Sequence, residues 1–170
     1  MTRYVIVGNS AGGIGAAEAI REVDRQGQVT IISDEPYATY SRPLISEYLA
    51  GEKSLPEMLY RDERFYQRRG LEARLGQRVR SVDPGGWVEL DDGQRLEWDR
   101  LILATGGQPI VPPMAGRELQ GVYTFTTLGD ARAIAEGLAG AKTAVVIGGG
   151  LIGLSVTEAL VKRGLRVHLV

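Results

Sequence analysis

The 170-residue chain has no cysteine, which excludes structural disulfides, thiolate metal sites and cysteine-based redox chemistry within it. It has one histidine, so a histidine-rich metal centre is excluded as well. That residue, His168, lies in the strand-like run Leu165–Val170 and reads as structural. No apolar run approaches the roughly 20 residues that span a bilayer. The first strand begins at once, without a signal-peptide pattern ahead of it. A cytoplasmic protein with no membrane partner is therefore expected. The formal charge of −1 gives no large field of one sign, so nucleic acid is not an expected partner either. With 44% apolar and 24% charged residues, the chain can still bury the core of one or two ordinary globular domains. Glycine is what the chain has in excess, 23 residues, many of them in loops that follow strands.

Periodicity and turn residues give an alternating order of elements. Tyr4–Val7 reads as a parallel strand buried on both faces, followed by a glycine loop and a helix over Ile14–Asp24. A turn at Gln26-Gly27 is expected to close that helix, with glycine supplying a left-handed residue. Val29–Ser33 completes a right-handed βαβ unit. Prolines at 36, 43 and 56 break the next stretch into short pieces, and Glu63–Arg69 reads as the end of a helix closed by Gly70. Strands are expected at Leu71–Leu75, Arg78–Val82, Trp87–Leu90 and Arg95–Trp98, the last two joined by an Asp91-Asp92-Gly93 hairpin turn. Leu101–Leu103 is another buried strand, ending in Ala104-Thr105-Gly106-Gly107. The cluster Pro109, Pro112 and Pro113 reads as a domain crossing, so domains are expected at 1–112 and 113–170. A helix over Gly129–Leu138, a strand over Thr143–Ile147, a helix over Leu154–Arg163 and a strand over Leu165–Val170 follow.

Two loops carry chemistry. Gly8-Asn9-Ser10-Ala11-Gly12-Gly13 fits the dinucleotide fingerprint with serine at its second glycine position. There the first glycine permits the strand-to-helix turn, the second position must stay small beside a pyrophosphate, and the third lets helix and strand pack closely. Backbone N–H groups at the helix start supply the anion site. An acidic pair, Asp34-Glu35, ends the next strand, about 20 residues after the last glycine, where a carboxylate accepts hydrogen bonds from a ribose. The second loop, Gly148-Gly149-Gly150-Leu151-Ile152-Gly153, matches the fingerprint completely. Its ribose-binding residue is expected just beyond Val170, so the position that separates NAD from NADP is not in the chain. The structural alternative for each loop is a tight turn without a ligand.

Taken together, these residues resemble the pyridine nucleotide-disulfide oxidoreductase superfamily of two-dinucleotide flavoproteins. The run Asp34-Glu35-Pro36-Tyr37-Ala38-Thr39-Tyr40-Ser41-Arg42-Pro43-Leu44-Ile45-Ser46 is similar to its rubredoxin-reductase, ferredoxin-reductase, nitrite-reductase and apoptosis-inducing-factor branch. The resemblance covers essentially the whole chain. It implies an α/β fold: a Rossmann-like parallel sheet binding FAD, with an inserted β-hairpin or meander, then the start of a second, NAD(P)-binding Rossmann-like domain. The implied FAD contacts are Gly8, Ser10, Ala11, Gly12 and Gly13 at the pyrophosphate and Asp34 or Glu35 at the ribose. Arg42 and Pro43 would lie towards the phosphates and flavin, Val79 would meet the adenine through its backbone, and Ala104, Thr105 and Gly106 would close the site. NAD(P)H would lie over Gly148, Gly150, Leu151, Ile152 and Gly153.

The implied activity is hydride transfer from NAD(P)H to flavin, then single-electron transfer to a small redox protein such as rubredoxin or ferredoxin. No catalytic acid, base, nucleophile or metal from the protein is needed, because the cofactor carries the chemistry. The disulfide-containing and single-cysteine branches are excluded by the lack of cysteine. Where ferredoxin-reductase-like members often carry lysine five residues after the arginine, this chain has Glu47. Because the second unit stops after one βαβ, the chain is expected to be the front part of a longer enzyme. Unpaired strand edges in that unit predict a possible homo-oligomer. Two alternatives remain at this point: a non-catalytic NADH-sensing or partner-binding module, and an inactive fragment.

Overall fold

The structure is a computed structural model that describes residues 1–62 and 64–170. Glu63, the first residue of the expected helix end Glu63–Arg69, lies outside the described residues. The chain forms two compact units, Met1–Tyr40 with Leu59–Gly106 and Ser41–Met58 with Gly107–Val170. This division is not the linear one expected after residue 112, because Ser41–Met58 packs with the second half of the chain.

The first unit is built on a four-stranded parallel sheet, β3-β2-β1-β7. Its strands are β1 (Arg3–Val7), β2 (Gln28–Ser33), β3 (Leu71–Leu75) and β7 (Arg100–Leu103). Successive side chains point to opposite faces, and both faces are covered. Ile6, Val29 and Ile31 pack with Ile14, Ala17 and Ile20 of helix α1 (Ala11–Val23), and with Phe65 and Leu71. Val5 and Ile32 point the other way, onto Val88 and Leu90. That is why β1 and β2 read as unbroken apolar runs. Each of these fully buried Ile side chains contributes about 1.5–3 kcal/mol.

The second cover is a three-stranded antiparallel meander of β4 (Val79–Asp83), β5 (Trp87–Leu90) and β6 (Arg95–Glu97). Its tight turn is the expected one: Gly93 takes φ +83°, and the Leu90 N–H donates to the Gln94 carbonyl at 2.9 Å. Helix α3 (Phe65–Arg68) leads into β3.

The end of α1 departs from expectation. Gly27 is not among the left-handed glycines, and the helix ends at Asp24 with extended backbone, φ −131°. The Asp24 carboxylate instead builds the turn, accepting from the N–H groups of Gln26 at 3.0 Å and Gly27 at 2.7 Å. These two donors hold its pKa below the usual aspartate value. Gly27 is needed for room, since a Cβ there would lie 2.7 Å from both the Asp24 carboxylate and the Tyr4 ring.

The second unit contains α2 (Ile45–Ala50), α4 (Leu128–Gly137), β8 (Thr143–Val146), α5 (Leu151–Lys162) and β9 (Arg166–Leu169). Its buried side chains include Ile45, Leu49, Leu128, Ala131, Ile134, Val156 and Leu160. The Arg163 side chain fastens α2, its Nε donating to the Leu49 carbonyl at 2.7 Å. Thr127 and Asp130 form a reciprocal capping box at the start of α4, the kind of cap worth about 1 kcal/mol. Strands β8 and β9 pair in parallel, Thr143 with Arg166 through Val146 with Leu169. Among the described residues, no helix is long and apolar enough to cross a membrane.

Candidate dinucleotide sites

Both fingerprint loops adopt the same backbone path. Gly8 follows β1 at φ +124° and Gly148 follows β8 at φ +108°, a region that L side chains avoid. The Gly8 N–H donates to the Ile32 carbonyl at 2.8 Å, and the Gly148 N–H donates to the Val170 carbonyl at 2.7 Å. A Cβ on Gly13 would collide with the Gly8 carbonyl oxygen, and one on Gly153 with the Gly148 carbonyl oxygen. The third glycine of each loop is therefore required by close helix–strand approach, as its place in the motif demands.

Each loop then passes into a helix earlier than the sequence reading expects. Helix α1 starts at Ala11 rather than Ile14, and α5 at Leu151 rather than Leu154. Ser10 and Gly150 are the N-cap residues, both with extended backbone, and neither position supplies a side-chain cap. The first intrahelical bonds are Ile14 N–H to Ser10 O at 3.0 Å and Leu154 N–H to Gly150 O at 2.9 Å. The N–H groups of Ala11, Gly12 and Gly13, and of Leu151, Ile152 and Gly153, therefore precede the helical ladder, where an anion can take them.

In the first unit, the end of β7 lies beside that loop. The Ala104 N–H donates to the Val7 carbonyl at 2.8 Å, and a Cβ on Gly8 would strike the Ala104 carbonyl. The Ala104-Thr105-Gly106 end of β7 thus lies against the glycine loop, with Gly106 at φ +71°. The acidic pair is divided. Asp34 is exposed, while half-buried Glu35 accepts a 2.5 Å hydrogen bond from the Tyr40 hydroxyl. The turn before β4 is tied to the same place, Gly76 N–H to Glu35 O at 3.2 Å and Gln77 N–H to Ser33 O at 2.9 Å. Val79 enters β4 two residues later.

Arg42 and Pro43 belong to the second unit, in a 3-10 turn over Arg42–Leu44. The Arg42 guanidinium donates to the Thr126 carbonyl at 2.9 Å. Glu47 lies in α2, with its carboxylate 3.4 Å from the Lys53 ammonium. Gly148, Gly149 and Gly150 face open space: a Cβ on any of them would meet nothing within 4 Å. Leu151 and Ile152 are also exposed, at 86% and 59%.

Sequence reasoning misses a set of side chains beside the first loop. Asn9 donates through Nδ2 to the Tyr37 carbonyl at 3.2 Å and accepts through Oδ1 from the Tyr66 hydroxyl at 2.8 Å. Nothing in the fingerprint points to Asn9, which holds one of its unconstrained positions. An open cleft of about 510 Å³ lined by Arg21, Glu22, Arg25, Arg68, Arg69 and Gly70 lies where α1 ends and β3 begins. It is at the amino ends of the strands, away from the glycine loop. No cluster of potential metal ligands occurs among the described residues.

The sequence matches the family described as pyridine nucleotide-disulphide oxidoreductase over residues 2–170. It is 39% identical over 151 residues to the large subunit of nitrite reductase [NAD(P)H] from Klebsiella oxytoca, covering 88% of this chain and 16% of that protein. Rhodocoxin reductase from Rhodococcus erythropolis is 34% identical over 168 residues, 98% of this chain and 39% of the relative. Among solved structures, the covalent putidaredoxin reductase–putidaredoxin complex superposes with a TM-score of 0.84 at 31% identity. That match covers 99% of this chain and 42% of the solved chain. The chain thus spans well under half the length of these relatives.

Proposed function

Because this chain belongs to the pyridine nucleotide-disulphide oxidoreductase family, we propose that it is the nucleotide-binding front part of a flavin-dependent NAD(P)H oxidoreductase that serves a small redox protein. The observation that carries this reading is the glycine-loop geometry built twice, with positive φ at Gly8 and Gly148 and collision-limited glycines at 13 and 153.

The residues present fit a dinucleotide in each loop. In the first unit, the N–H groups of Ala11, Gly12 and Gly13 would hold the pyrophosphate of FAD, and the Ser10 hydroxyl can donate beside them. Glu35, oriented by Tyr40, would accept from the ribose hydroxyls, with exposed Asp34 as its alternative. Val79 would border the adenine, and Ala104, Thr105 and Gly106 close the loop from β7. Arg42 and Pro43 are assigned to FAD on the family resemblance alone. In the second unit, Gly148, Gly150, Leu151, Ile152 and Gly153 would receive NAD(P)H, whose approach the open space at Gly148–Gly150 permits. Bound flavin supplies hydride acceptance and one-electron release. The protein's own part is to bind, orient and exclude water, which agrees with a chain that has no cysteine.

Flavin absorbance provides the test. Full-length protein mixed with FAD and passed through a desalting column should retain the visible bands of oxidised flavin. Addition of NADH or NADPH without oxygen to the full-length protein should then bleach them. Retention without bleaching would replace the enzyme by a binding module, and loss of all flavin would remove FAD from the first unit.

A further inference from the structure

We propose that Tyr66 is a positioning residue for the first nucleotide site, holding the pyrophosphate loop and the ribose carboxylate in one hydrogen-bond frame. The inference rests on the reading of that site as an FAD site, and it adds a residue that no fingerprint contains.

The frame has four links. The Tyr66 hydroxyl donates to Asn9 Oδ1 at 2.8 Å, in the loop between Gly8 and Ser10. The same oxygen accepts from the Thr39 backbone N–H at 2.9 Å. Asn9 closes the ring by donating to the Tyr37 carbonyl at 3.2 Å. Tyr40, next to Thr39, donates at 2.5 Å to the Glu35 carboxylate. One phenol oxygen thus joins the glycine loop to residues 37–40, and residues 37–40 hold the acid.

The support behind that oxygen is rigid. The Tyr66 ring packs against the main core cluster and meets the buried Phe65 ring edge-on, centroids 5.5 Å apart at 76°. Thr39 is 1% exposed, so its N–H has no water to fall back on. Burial raises the Tyr66 pKa above the ordinary value of 10, which keeps the hydroxyl a donor across the physiological range. Removal of this hydroxyl leaves the buried Thr39 N–H and the half-buried Asn9 Oδ1 short of a partner while changing the ring's packing hardly at all. The consequence falls on the loop's position more than on the fold.

Tyr66→Phe tests this in two arms. In the nucleotide-free chain, amide hydrogen exchange at Thr39 should quicken roughly tenfold, and the Asn9–Gly13 amides should follow, while β1 and β2 stay unchanged. In fluorescence titrations with FAD, Tyr66→Phe and Asn9→Ala should each weaken binding roughly tenfold. The double variant should lose less than the sum of the two single losses, because both remove the Tyr66–Asn9 link while each also removes one bond of its own, to Thr39 or to Tyr37. Unchanged exchange at Thr39, wild-type FAD affinity in Tyr66→Phe, or additive losses in the double variant would each overturn the proposal. If the wild-type chain takes up no FAD, the flavin reading fails, and the exchange arm still decides whether Tyr66 positions the loop.

Discussion

At Gly8 the backbone stands at φ +124° with the Ala104 carbonyl where a Cβ would go. At Gly15, four residues into α1, φ is ordinary and a Cβ would meet nothing within 4 Å. Two glycines seven positions apart should therefore respond oppositely to the same substitution. Gly8→Ala should cost about 2–4 kcal/mol, combining an unfavourable φ with steric overlap. Gly15→Ala should stabilise by about 0.5–1 kcal/mol, through the better helix propensity of alanine. Urea denaturation of the two variants checks both signs, and a destabilised Gly15→Ala would contradict the open space seen beside it. At this scale the motif glycines are legible in sequence, because their spacing reports a backbone requirement. Gly27 is legible as a turn residue but not for the right reason: steric room beside Tyr4 and Asp24 leaves no trace in a local pattern. The bond of Asn9 to Tyr66 is equally silent, since its partners lie 57 residues apart.

Elements are joined by charge as well as by apolar packing. The Asp99 carboxylate accepts from the Arg3 backbone N–H at 2.7 Å and from its guanidinium at 2.9 Å, tying the start of β1 to the start of β7. Glu97 also pairs with Arg3. The Arg3 guanidinium and N–H hold the Asp99 pKa down at about 2, against an ordinary 3.8. A carboxylate whose folded pKa is depressed adds stability above its unfolded value and loses it as pH falls through the folded one. The contribution is thus fully present above 3.8 and disappears as pH approaches 2. Both partners are about 40% exposed, so salt should weaken the effect. Denaturation midpoints of Asp99→Asn should lie below wild type above pH 3.8 and converge with it near pH 2. A constant gap across that window would show that the charge is not responsible. Element boundaries were readable to within about a residue for most strands, but the helix starts at Ala11 and Leu151 were not. Glycines and serine there look like loop by propensity, whereas the helix begins inside the motif to present its first N–H groups.

On the scale of the whole molecule, the two halves differ in how far their sheets are covered. Strand β1 has a parallel partner on each side and side chains packed on both faces. Among the described residues strand β8 pairs with β9 alone, and the open side of that pair carries Val145 and Ile147, 62% and 64% exposed. Sequence periodicity could not separate these cases, because Tyr4–Val7 and Thr143–Ile147 are similar apolar runs and differ only in what packs on them. Nor could it assign Ser41–Met58 to the second unit, which depends on long-range contacts such as Arg163 with Leu49. A two-stranded sheet with open edges is marginal in water, while a central strand of a covered sheet opens only with its unit. In the isolated chain, hydrogen-bonded amides of β8 and β9 should therefore exchange at least about tenfold faster than those of β1 and β2. If higher protein concentration slows β8 and β9 selectively, a second copy is covering that face and edge, and sedimentation should then show a dimer. Equal protection of the two sheets in a monodisperse monomer would refute this inequality between the halves.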